Sequence, residues 1–93
     1  MEYVVAKAES KSEYIYNKYH RAMLGRECDI LHLMRGTEAK LMVDMVYDPG
    51  NPHRYRTTPV LDIRNLEDGA IIFETENSVY TLIPKLDFKG ESL

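Results

Sequence analysis

Apolar residues recur along this chain in two rhythms. Tyr3 to Ala8 carries the β-favouring run Tyr-Val-Val and a charged exit, and predicts a first strand. The period then changes. Ser10 and Glu13 have the S-x-x-E spacing of a capping box, no Pro or Gly interrupts Lys11 to Leu24, and Gly25 stands where a left-handed C-terminal cap would fall. At about 100° per residue, Ile15, Tyr16, Tyr19, Ala22 and Met23 share one arc, with Glu13, Asn17, Lys18 and Arg21 on the other side. The pattern predicts an amphipathic helix of about three to four turns. A strand through Tyr14-Ile15-Tyr16 is the competing assignment, because tyrosines favour sheet.

After Gly25 the period is two. Cys28, Ile30, His32 and Met34 alternate with their neighbours, Arg35-Gly36-Thr37 has turn chemistry, and Leu41, Val43, Met45 and Tyr47 alternate again, which predicts an antiparallel hairpin. Asp48-Pro49-Gly50-Asn51-Pro52 is the strongest loop signal in the chain, since neither helix nor strand tolerates two prolines in so short a span. Pro59 to Ile63, Ala70 to Thr75 and Val79 to Ile83 read as three further strands, separated by turns at Glu67-Asp68-Gly69 and Glu76-Asn77-Ser78. Pro84 ends the last of them. Leu86 and Phe88 are expected to fold back onto the body, and residues 89–93 to fray.

About five or six strands at spacings of about 8–12 residues, with one helix after the first, define an α+β chain. The expected architecture is a single domain over residues 1–93: a small curved antiparallel sheet or barrel with one amphipathic helix. A flat sheet of this size would leave an apolar face in water, so closure or helix cover is required.

Composition narrows what such a domain can do. Of 93 residues 44% are hydrophobic, enough for a core and too many for disorder. Net charge is −3, which argues against a general nucleic-acid binder and is too weak for a DNA mimic. The charge is uneven: residues 1–56 carry nine Lys/Arg and eight Asp/Glu, net +1, whereas residues 57–93 carry three and seven, net −4. One cysteine cannot form an internal disulfide, no segment approaches the ~18 apolar residues of a membrane span, and Met1 to Ser10 lacks the apolar stretch of a signal peptide. A cytoplasmic protein without membrane contact is expected.

Catalytic signals are sparse. Cys28 and His32 would share a strand face, but a closed zinc site needs four ligands and no second pair stands at metal-ligand spacing. There is no Gly-rich phosphate cradle and no nucleophile elbow. No catalytic residue, metal or cofactor is assigned, and an enzyme is not expected.

The pointed local feature is His53-Arg54-Tyr55-Arg56, followed by Thr57-Thr58, directly after the proline loop. Arginines offer forked donors to phosphate or carboxylate, and a tyrosine between them offers a stacking face. The plainer alternative has Arg54 and Arg56 in water and Tyr55 packed inward. Lys18 and Arg21, with His20 and Arg26, form a second basic cluster near the end of the predicted helix, where cations also complement the helix dipole. Tyr14 lies among polar residues and would suit an interface, while Tyr16 and Tyr19 lie on the apolar arc and are expected in the core.

Thr57-Thr58-Pro59-Val60, followed by Thr75-Glu76-Asn77-Ser78-Val79-Tyr80, resembles a pattern in short uncharacterised β-rich accessory proteins of phages and mobile elements, over about the last third of the chain. The resemblance implies a small β-rich fold and an accessory role without enzymatic activity. Together these features suggest a non-enzymatic binding protein that contacts an unidentified protein through His53, Arg54, Tyr55, Arg56, Tyr14, Lys18 and Arg21, as a phage-type modulator of a host protein would. Self-association is also expected, because open edges of a small sheet need cover. The alternative is a small barrel that uses the His53–Arg56 loop, read as continuing the proline loop before it, to bind nucleic acid or a nucleotide.

Overall fold

A computed structural model describes residues 1–13 and 16–85. Six strands, β1 (Tyr3–Ser10), β2 (Glu27–His32), β3 (Glu38–Val43), β4 (His53–Asn65), β5 (Ile71–Thr75) and β6 (Ser78–Pro84), form a closed antiparallel barrel in sequential order, with one short helix, α1 (Lys18–Met23), between β1 and β2. Closure comes from β1 lying against β6, from Tyr3 opposite Pro84 to Ser10 opposite Ser78. Joining first strand to last gives every strand a neighbour on both sides over at least part of its length.

The two-residue alternation works as the pattern requires. Ile71, Phe73 and Thr75 of β5 and Ser78, Tyr80 and Leu82 of β6 point inward and are buried, while the residues between them are partly exposed. Leu41 and Val43 of β3 and Cys28 of β2 join Val5, Met23, Met45 and Val60 to fill the interior. Phe73 stacks on Tyr80 with ring centroids 4.9 Å apart. Burial pushes the Cys28 thiol up to about 12, with the Asp29 carboxylate adding to the rise. It packs as a small apolar residue.

Strand β4 is 13 residues long, more than twice the expected Pro59 to Ile63. Its first half, His53 to Pro59, pairs with β3, and its second half, Val60 to Asn65, pairs with β5. The stretch His53–Thr58, read from sequence as the continuation of a loop, is therefore strand. A bulge in β4 sets Thr57 and Thr58 opposite the single residue Ala39, between the paired positions Glu38–Pro59 and Lys40–Arg56, and the Ala39 amide donates to Thr57 Oγ1 at 3.0 Å. A bulge in β2 between Ile30 and His32 also breaks the alternation on which a shared Cys28–His32 face depended.

The helix differs most from expectation. It spans Lys18 to Met23, not Lys11 to Leu24. Ser10 stays in the β1–β6 ladder opposite Ser78, so it does not cap a helix. The cap is Asn17, whose side-chain Oδ1 accepts from the Tyr19 amide at 2.9 Å. Tyr16 falls outside the helix and is 76% exposed, and Tyr19 is 39% exposed, so neither joins the core. His20, Ala22 and Met23 are the buried helical residues. Gly25 ends the turn at φ +77°, a conformation that favours glycine, and its amide donates to the Val5 carbonyl. The expected packing of Leu86 and Phe88 and the fraying of residues 89–93 lie outside the described residues. Among the described residues no helix is long and apolar enough to cross a membrane.

Candidate ligand-binding mouth

The division of β4 between two partners creates the site. Because β5 pairs with β4 only from Val60 onward, the first half of β4 diverges from the β5–β6 hairpin. A cleft of about 500 Å³ opens between them, with Tyr55 to Thr58 on one wall, Thr75, Ser78 and Tyr80 on the other, and Tyr16 to Tyr19 across the end. A second cleft, of about 490 Å³, shares Asn17, Tyr19, Tyr55 and Arg56 with the first and continues past Tyr47, His53 and Arg54. A third, of about 360 Å³, lies between Lys18, Tyr19, Ala22 and Tyr47. Tyr19 is common to all three, standing as a partition with its ring 6.0 Å from that of Tyr55.

Two properties of this surface stand out physically. Five tyrosines (Tyr16, Tyr19, Tyr47, Tyr55 and Tyr80) line it, of the seven in the chain. Among the described residues its charged side chains are Lys18, Arg54 and Arg56, with His53 beside them, and no described carboxylate lines any of the three clefts. Nearby carboxylates are turned to local partners. Asp48 accepts from His53 Nε2 at 2.7 Å and from Asn51 Nδ2 at 2.9 Å, and these bonds hold its carboxyl below the usual range. Asp44 holds Arg26 at 2.9 Å and caps the Gly50 amide. Lys18, Arg54 and Arg56 enter no ion pair with the described residues; Lys18 instead stands 5.3 Å over the ring of Tyr19.

The floor of the mouth is a line of hydrogen bonds. Asn17 Nδ2 donates to Tyr55 Oη at 3.1 Å, Tyr55 Oη lies 2.9 Å from Tyr80 Oη, and Tyr80 Oη lies 3.1 Å from His20 Nε2. His20 stands edge-on to Tyr80. Burial lowers the His20 pKa, which favours neutral imidazole, and burial together with Tyr55 raises the Tyr80 phenol well above its ordinary value. The Tyr80 phenol is therefore a neutral hydrogen-bonding group.

Of the residues singled out from sequence, Lys18, His53, Arg54, Tyr55 and Arg56 meet at this mouth. Tyr55 is only 8% exposed and points into the barrel between two exposed arginines, as strand alternation dictates. Arg21 is exposed on α1 but lines none of the three clefts. Tyr14 lies outside the described residues. Sequence reasoning missed Tyr47 and Tyr80, which arrive from distant segments, and placed Tyr16 and Tyr19 in the core. The in-out rhythm of His53 to Thr57 was the available signal for the strand, and it was masked by the prolines before it. No known family, curated protein or solved structure matches this chain.

Proposed function

We propose that this barrel is a non-enzymatic binding protein that takes single-stranded nucleic acid, or a nucleotide unit of it, across the tyrosine-lined mouth. The observation that carries the proposal is the joining of five tyrosines and three cations on a concave surface that, among the described residues, no carboxylate lines. Unpaired bases stack on aromatic faces regardless of sequence, and Lys and Arg follow the backbone phosphates. A paired duplex offers no free base faces to a cleft of this shape. Clefts of about 500 Å³ and 490 Å³ also fall in the range that holds a small ligand.

Protein contact is the second reading, favoured by Tyr16 at 76% and Tyr47 at 56% exposure near Arg54, the residue types that anchor protein interfaces. Fluorescence anisotropy separates the two. Labelled (dT)12 at 50 mM salt is expected to bind saturably, a duplex of the same length at least tenfold more weakly, and Tyr19→Ala is expected to weaken the single-strand complex about tenfold or more, since one stacked base is worth about 1–3 kcal/mol. Equal affinity for duplex would mean that charge alone holds the ligand. No binding to single strands at low salt would overturn the proposal in favour of a protein partner.

A further inference from the structure

We infer that two copies of this barrel pair edge to edge through the second half of β4, antiparallel, with Asp62 of each copy opposite Arg64 of the other. The inference is independent of what the mouth binds.

The register of β4 leaves the edge free. Its first half lies against β3, but β3 begins at Glu38, opposite Pro59. Beyond that point the turn at residues 34–37 closes on Val60. The Gly36 amide donates to the Val60 carbonyl at 2.8 Å, and the Val60 amide donates to the Thr37 carbonyl at 2.9 Å. Leu61 to Asn65 then run past the turn with β5 on one side and, among the described residues, no strand on the other. Alternate residues of a strand turn their N–H and C=O to opposite sides, so part of this segment's backbone has no bonding partner among the described residues. Such an edge is a template for another strand.

Faces, length and charge identify the occupant. Ile63 and Asn65 stand opposite Phe73 and Ile71 of the core and face inward, whereas Asp62 and Arg64, opposite Glu74 and Ile72, face outward. Residues opposite one another in a ladder share a face, so a second copy of the segment pairs only where inward residues meet inward ones. The antiparallel registers of that kind that pair most of the segment centre on Asp62, Ile63 or Arg64. Centring on Asp62 sets carboxylate against carboxylate, and centring on Arg64 sets guanidinium against guanidinium. Centring on Ile63 sets each Asp62 opposite an Arg64 and pairs the whole edge, with Leu61 opposite Asn65 at both ends. The turn at Val60 closes one end of the edge and β4 stops at the other, so the two paired segments run out together. The contact is isologous and closes as a two-fold dimer.

The charges on this face fit that partner. Asp62 lies opposite Glu74 of its own chain, a like-charge pair that destabilises a ladder. Lys11 holds Glu74 at 2.8 Å, and Arg35 approaches Asp62 only to 3.8 Å. Arg64 is exposed and enters no ion pair with the described residues. In the dimer it meets the second copy's Asp62. Leu61 and Leu66, both exposed at the two ends of the edge, add apolar surface to the contact.

A contact of five residues a side is small, so the dimer is expected to form only at high concentration. Sedimentation velocity of the wild type from about 10 µM to about 0.5 mM should show a shift from monomer to dimer. Asp62→Arg alone and Arg64→Asp alone each set like charges opposite one another. Each is expected to raise the dimer dissociation constant at least tenfold and, because both positions face outward, to keep the wild-type circular dichroism. Mixed one to one, the two variants are expected to associate again, because both arginines of one chain then face both aspartates of the other. A wild type that stays monomeric throughout, single variants that dimerise like the wild type, or a mixture that stays monomeric would each overturn the inference, and none of these outcomes bears on single-strand binding.

Discussion

The salt dependence of single-strand binding can be worked from the mouth itself. Three cations line it, Lys18, Arg54 and Arg56, and among the described residues none is neutralised by a carboxylate in the clefts. Each phosphate neutralised on a single strand releases a fraction of a counterion, giving a slope of log K against log salt of about −0.7 per contact. Three contacts predict a slope of about −2, so affinity for (dT)12 should fall about 20-fold between 50 and 200 mM salt. Removing one contact with Arg56→Ala should bring the slope to about −1.4 and the fall to about sevenfold. Arg21→Ala is the internal control: Arg21 is equally charged and exposed but lines no cleft, so its slope should match wild type. Tyr19→Ala should lower affinity at every salt with little change of slope, because stacking releases no counterions. The assay is anisotropy at four or more salt concentrations for each variant. A slope near zero in the wild type would show that phosphate is not the ligand. A slope that falls equally for Arg21→Ala and Arg56→Ala would show a diffuse field in place of a mouth.

Two further outcomes follow from the titrating groups. The folded His20 pKa lies below its ordinary value of 6.5 because burial disfavours the cation, so the unfolded chain binds more protons and stability is complete above about 6.5 and is lost as pH falls below it; the urea midpoint should drop between pH 7.5 and 5.5, and less so in His20→Gln. Cys28 is fully buried with its thiol pushed up to about 12, so the native protein should react with a thiol reagent at pH 7.5 only at the rate at which it unfolds, whereas prompt labelling would place Cys28 outside the core.

The strands were legible wherever one face is wet and the other buried. Ile71 to Thr75 and Ser78 to Leu82 alternate so regularly that burial follows the sequence residue by residue. The helix was not, because two competing rules meet in residues 10–17. The Ser10–Glu13 spacing suits a capping box, but Ser10 gains more as the last rung of the β1–β6 ladder, and tertiary pairing overrides a local cap. Once the helix starts at Asn17, the arc that placed Tyr16 and Tyr19 in the core no longer applies. The stretch from His53 misled for a different reason: Pro49 and Pro52 mark a loop, and the loop ends at the second proline, with β4 starting at the next residue. The floor of the site could not be read locally at all. Tyr55 and Tyr80 are 25 positions apart and His20 and Tyr80 are 60, and only closure of the barrel brings them together.

Net charge is a property of the whole chain and does not fix the charge of one part of its surface. A total of −3 counts against a nucleic-acid ligand only if charge is spread evenly. Here the barrel sorts it. Glu74 holds Lys11 at 2.8 Å, Glu27 holds Lys85 at 2.8 Å, and Asp44 and Asp48 serve Arg26 and His53, so these carboxylates are each matched by an adjacent basic group. At physiological salt a charge is screened beyond about 8 Å, so a bound strand responds to the side chains it touches more than to the distant total. On the proposed reading, the charged side chains a strand would meet at this mouth are Lys18, Arg54 and Arg56. Placing a carboxylate there by Arg54→Glu should therefore weaken (dT)12 binding far more than an equal change at Arg64, which lies on the second half of β4 and lines none of the three clefts. Equal losses at the two positions would mean that the total, and not the mouth, governs binding.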